Sequence, residues 1–160
     1  MDDTTERQPA GLGSLLRALL ERLDGEVERL YHMREPTFRP KYYPVVQVLL
    51  REGPVPLARI AQECGVTHSA VSQTVSEMVT GGLIEMHSGK DARERVASLS
   101  AQGEAMCTRL APLWRAIHAS AAELDAELTE PLSAVATQAL EALTRRSFGN
   151  RIREHLKEDL

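Results

Sequence analysis

The sequence predicts a mainly α-helical chain with one small β-hairpin. Two observations carry this reading. Apolar residues, mostly Leu and Ala, recur at steps of three and four over long stretches, while aromatics make up only 4% of the chain. A single pair of short strand-like segments, Leu83–His87 and Arg95–Leu99, flanks one turn-rich loop. At 160 residues the chain can bury one sizeable core but is short for two independent ones.

Each element follows from local pattern. Residues 1–10 are acidic and polar and read as a disordered N-terminus. Leu12, Leu15, Leu16, Leu19, Leu20, Leu23, Val27, Leu30 and Tyr31 form a wide stripe on a helix from Gly11 to Arg34. Pro36 and Pro40 then stiffen a connection that carries Arg39 and Lys41. A short helix over Pro44–Arg51 ends at Gly53, and Pro54-Val55-Pro56 permits only an extended piece. Two further helices are expected at Leu57–Cys64 and His68–Thr80, followed by the hairpin. Ser100 caps a long helix with Met106, Leu110, Leu113, Ile117, Ala121, Leu124 and Leu128 on its apolar face. Thr129 and Pro131 restart the chain as another helix, and a short one is expected after Gly149.

The helix pair around Gly65-Val66-Thr67 carries the chemistry. Leu57, Ile60, Ala61 and Cys64 make the buried face of the first helix. Gly65 allows the positive φ of a sharp turn, and Thr67 can cap the second helix. On that second helix Val71, Val75 and Met78 face inward. Ser69, Gln73, Ser76 and Thr80 face outward, with Ala70 at the edge. Solvated helix faces usually carry Lys, Arg and Glu; a small, neutral one suits insertion between two walls of phosphate. Gln73 can bond an adenine edge in two places, and Ala70 can meet a thymine methyl. With the hairpin behind it, this is the pattern of a winged helix-turn-helix that binds double-stranded DNA. The candidate contacts are Thr67, His68, Ser69, Ala70, Ser72, Gln73 and Ser76, joined by Lys90, Asp91, Arg93 and Arg95 around the hairpin tip. An Arg there can enter a narrow minor groove.

The segments IAQECGVTHSAVSQTVSEMVTGGLIE (60–85) and DARERVASLSAQG (91–103) resemble the multiple-antibiotic-resistance regulator (MarR) family of bacterial transcription factors. In element order the resemblance runs from about Leu12 to Leu143. Asp91, Arg93, Leu99, Ser100 and Gly103 meet the family's wing signature. Met86 and Ala92 depart from it, standing where basic residues are common. The resemblance implies a homodimer with intertwined terminal helices, two recognition helices in successive major grooves, Arg93 in the minor groove and Asp91 as its brace. It also implies repression at a pseudo-palindromic operator, and release by a small aromatic or phenolic effector. Candidate effector contacts are Tyr31, His32, Phe38, Tyr43, Trp114 and His118.

The expected organisation is a dimerisation helix over 11–35, a DNA-binding lobe over 41–99, long dimerisation helices over 100–146 and a tail or short helix over 147–160. Broad Leu and Ala stripes on the terminal helices argue for dimerisation independently of the resemblance. The net charge of −4 excludes a chain that coats nucleic acid by bulk attraction, so binding must come from a local surface. No membrane span, signal peptide, cofactor or metal site is expected, and a cytoplasmic location is. The five histidines are scattered, and no catalytic constellation stands out, so an enzyme is not expected. Two alternatives stay open. One is a thiol-based redox regulator using Cys64 or Cys107, although structural roles fit both better. The other is a winged-helix protein-interaction module without sequence-specific DNA binding.

Overall fold

A computed structural model describes residues 11–89 and 95–158, with side chains through Leu156. The expected disorder of 1–10 and the hairpin-tip residues Lys90, Asp91 and Arg93 lie outside the described residues. The elements run α1 (Leu12–Arg34), a 3-10 turn (Pro40–Tyr42), α2 (Tyr43–Glu52), β1 (Val55–Pro56), α3 (Leu57–Cys64), α4 (His68–Thr80), β2 (Ile84–Ser88), β3 (Arg95–Leu99), α5 (Ala101–Glu127), α6 (Leu132–Arg145) and α7 (Phe148–Glu158). Two compact units divide inside α5, the first ending at Pro112 and the second starting at Leu113.

In the first unit, α2 packs on α3 and β3, and α4 packs on α3 and β2. Ile60, Val46, Met78, Met106 and Leu110 are fully buried. The inward residues Val71, Val75 and Met78 of α4 are buried, as their spacing predicts. β3 is the centre of an antiparallel sheet in the order β1-β3-β2. Its register sets Val55 opposite Ala97 on one side and Met86 opposite the same residue on the other. The extended piece at Pro54–Pro56 therefore contributes an edge strand, a position where prolines without a donor N–H are tolerated.

Leu83 was expected to open the first hairpin strand. It instead closes α4: its N–H donates to the Met78 carbonyl at 2.9 Å, and its carbonyl accepts the Ser100 N–H at 3.0 Å. Cys64 is half-buried rather than buried. The last helix starts at Phe148, ahead of Gly149. Ser147 fixes that start, its carbonyl taking the N–H of Arg151 at 3.2 Å and its hydroxyl the N–H of Asn150 at 3.3 Å.

Wing and long helix are tied at one point. The Ser100 hydroxyl donates to the Gly82 carbonyl at 2.5 Å and accepts the Gly103 N–H at 3.0 Å, capping α5. Gly103 lies so close to the turn that leads into β2 that a Cβ there would sit 2.2 Å from the Leu83 carbonyl oxygen. Further along α5, Pro112 lacks the N–H that would bond the carbonyl four residues back.

The terminal helices leave their apolar faces open. Only Tyr31 is buried on α1, while Leu12, Leu15, Leu16 and Leu20 are about half exposed or more. No residue of α6 is buried, and on α7 Phe148, Ile152 and Leu156 share one exposed face. Among the described residues, no helix is long and apolar enough to cross a membrane.

Candidate nucleic-acid interface

The turn between α3 and α4 is built as its residues require. Gly65 adopts φ 66°, ψ 28°, a left-handed conformation that glycine takes without steric cost. Thr67 caps α4, its hydroxyl accepting the Ala70 N–H at 3.2 Å. This cap fixes the start of the helix at the end where base edges would be met.

The outer face of α4 forms an open groove of about 750 Å³, lined by His68, Ser69, Ser72, Gln73, Ser76, Glu77 and Thr80. Five of the candidate contacts therefore share one concave surface. Thr67 and Ala70 are exposed beside it, and the Thr67 hydroxyl is committed to its cap. Helix α4 carries no Lys or Arg, so the groove offers hydrogen-bonding groups with almost no charge. Thr80 turns its hydroxyl inward to the Ser76 carbonyl at 3.0 Å, leaving Gln73 as the longest neutral side chain in the groove.

Glu77 is the exception, and it is held. Lys41, from the 3-10 turn, reaches both carboxylate oxygens, at 2.8 and 2.6 Å. The hydroxyl of Tyr42 donates to the second oxygen at 3.4 Å. The hydrogen bond from Lys41 is the main reason its carboxyl stays below the ordinary range, with the charges of Lys41 and Arg39 adding to it. Lys41 and Glu77 are 36 residues apart, and no local pattern in the sequence links them.

Of the wing residues, Arg95 is exposed at the start of β3, opposite Ser88. Further down the hairpin, His87 Nε2 and the Ser98 hydroxyl are 2.8 Å apart across the strands.

The aromatic candidates fall into different environments. Tyr31 and Phe38 are buried, with ring centroids 4.6 Å apart, and Phe38 meets Tyr42 edge-on at 5.9 Å. Tyr43 is half-buried, which pushes its hydroxyl pKa up, and His32 is exposed. In the second unit Trp114 is buried and His118 is exposed. Nearby on α5, Arg109 directs its guanidinium to Glu35, with contacts of 2.9 and 2.6 Å.

Neither cysteine has the environment of a reactive thiolate. Burial pushes the Cys107 thiol up to about 11, and the charge of Glu104 adds to the shift. Arg109, the basic residue nearest to it in sequence, is taken by Glu35. Burial also raises the Cys64 thiol, together with the neighbouring charge of Glu63. Among the described residues, no group of His, Cys, Asp and Glu could hold a metal ion.

Residues 38–94, which span α2 to the hairpin tip, match the model of the MarR family. None of the curated proteins matches the chain. Several solved structures share its fold. The transcriptional regulator MOSR of M. tuberculosis, solved in complex with DNA, is 21% identical with a TM-score of 0.66, over 85% of this chain and 98% of its own. The PcaV transcriptional regulator of Streptomyces coelicolor, solved with its natural ligand, is 18% identical with a TM-score of 0.64, over 88% and 99%. Wild-type MarR of E. coli in its apo form is 19% identical with a TM-score of 0.56, again over 88% and 99%. The match over residues 38–94 and this shared fold support the MarR family for this chain.

Proposed function

We propose that this chain is a MarR-family transcriptional regulator that binds a pseudo-palindromic duplex operator as a homodimer and represses the gene it covers. The observation that carries the reading is the neutral groove along α4, in which His68, Ser69, Ser72, Gln73 and Ser76 present donors and acceptors together. Such a surface reads base edges, because it has hydrogen-bonding capacity without the charge that would tie it to any phosphate. Arg95 and the tip residues Lys90, Asp91 and Arg93 are proposed as the wing contacts, and Thr67 and Ala70 as neighbours of the reading face. The complex of MOSR with DNA supports this use of the fold.

The exposed apolar stripes of α1, α6 and α7 support the homodimer. With so few cations in each reading groove, two half-sites bound together supply the affinity that one lobe lacks. Release by a small aromatic or phenolic effector is proposed on the family resemblance. It is supported by PcaV, solved with its natural ligand, and by Bordetella bronchiseptica BpsR, whose DNA binding is regulated by 6-hydroxynicotinic acid. Tyr31 and Phe38 can meet such a molecule only if their packed rings separate, whereas Tyr43, His32 and His118 have exposed surface. The protonated, buried thiol of Cys107 argues against a redox switch. A cytoplasmic location follows from the proposed activity.

Selection of bound sequences from a pool of random duplexes tests the reading. A two-fold sequence should be enriched, and its affinity should fall steeply as salt rises. Gln73→Ala should then relax preference at one base pair of each half-site by about 1–3 kcal/mol. Failure to enrich any sequence would refute operator recognition. An equal loss on all duplexes would remove Gln73 from the reading set.

A further inference from the structure

We infer that Lys41 contacts the phosphate backbone beside the α4 groove, and that Glu77, by pairing with it, keeps this contact weak toward DNA that is not docked on α4. The inference rests on the DNA-binding reading above. It begins from a shortage: a helix lying in the major groove runs between two phosphate walls, yet α4 brings no Lys or Arg to either. Lys41 has its ammonium at a residue lining that groove, although it comes from a different element.

The placement is built from the buried side outward. Tyr42 is buried, with 5% of its surface exposed, and its hydroxyl reaches Glu77. The carboxylate in turn holds Lys41, whose side chain keeps 45% of its surface exposed. An ammonium has three donors, and a carboxylate with two oxygens leaves one of them for another acceptor. A phosphate oxygen arriving along that direction completes the set. The phosphate then takes a charge-assisted hydrogen bond without any need to break the ion pair.

The pairing also sets what Lys41 does before docking. An unpaired lysine at the groove would attract every duplex, because phosphate attraction carries no sequence information. Beside Glu77 the pair is close to neutral, so its pull fades within a short distance, while the direct contact survives once α4 is seated. Glu77 thus opposes the wrong complexes more than the right one. That is specificity gained by repulsion.

The test uses the full chain, the duplex selected by the wild type and a scrambled duplex of equal length. Lys41→Gln should make the slope of log affinity against log salt shallower by about 0.9 per lobe on the selected duplex. A fourfold rise in salt should then separate wild type from variant by about 3.5-fold per lobe. Glu77→Gln should tighten binding to the scrambled duplex several-fold while changing the selected one less, so that discrimination falls. Thermal unfolding of both variants reports any structural cost separately. An unchanged slope in Lys41→Gln, with the wild type binding normally, overturns the phosphate contact. Lower melting of Glu77→Gln with unaltered scrambled-duplex affinity shows a mere brace between the turn and α4, and overturns the role of Glu77. A wild type that binds neither duplex refutes the DNA-binding reading itself, and this inference with it.

Discussion

Replacing Gly103 with Ala sets two effects of opposite sign against each other. In an ordinary helix the change stabilises by up to about 1 kcal/mol, because glycine gives up more backbone freedom on folding. Here the added Cβ would lie 2.2 Å from the Leu83 carbonyl oxygen, 3.1 Å from its carbon and 3.3 Å from Leu99 Cδ2. Two of these neighbours are backbone atoms of Leu83, so the helix or the segment leading into β2 must move by about 1 Å to restore contact distance. Overpacking of this kind costs about 1–3 kcal/mol. The same displacement pulls on the Ser100 N–H bond to Leu83 at 3.0 Å and on the Gly103 N–H bond to the Ser100 hydroxyl at 3.0 Å. Losing one or both adds about 1–2 kcal/mol. After the helix-propensity gain is subtracted, the net cost is about 1–4 kcal/mol. For a chain of this size a middle value of about 2.5 kcal/mol lowers Tm by about 5–10 °C. The assay is thermal unfolding followed by circular dichroism at one fixed protein concentration, since association would shift the midpoint. An unchanged or raised Tm would refute the steric argument and leave propensity as the dominant effect.

Two further predictions concern the cap and the thiol. Thr67→Ala should cost about 1 kcal/mol, while Thr67→Ser should keep most of the stability because the hydroxyl that accepts the Ala70 N–H remains; chemical denaturation of the pair measures the difference. Cys107 should resist alkylation in the native protein up to high pH and react promptly once unfolded. Because its folded pKa of about 11 lies above the unfolded value of about 8.5, its contribution to stability is full below the lower value and is lost between the two. A thiol that reacts fast at neutral pH without unfolding contradicts this.

The reading lobe was largely legible because its signals are local. Gly65, Thr67 and the spacing of Val71, Val75 and Met78 each act within one turn of helix, and each is realised as that spacing implies. Ser100 was legible as a cap for the same reason. Contacts distant in sequence were not. Val55 pairs with Ala97 across more than forty residues, and nothing in Pro54-Val55-Pro56 announces a partner. The steric need for Gly103 depends on how closely the Leu83 backbone, just before β2, approaches the start of α5. Periodicity also overstates burial on a short helix: Cys64 closes the inward row of α3 but sits at its end, where part of it meets solvent. Trp114 and His118 share a helix face by spacing, yet one is buried and the other exposed.

The lack of Lys and Arg on α4 bears on how such a regulator would find its site. A genome offers about 10⁶–10⁹ competing positions, and a strongly cationic protein spends most of its time on them. A neutral reading helix binds these positions weakly, so more of the population stays free in solution. Occupancy of the proposed operator would then follow the concentration of free regulator closely. The trade is fewer long slides along the duplex, with each correct encounter made from solution.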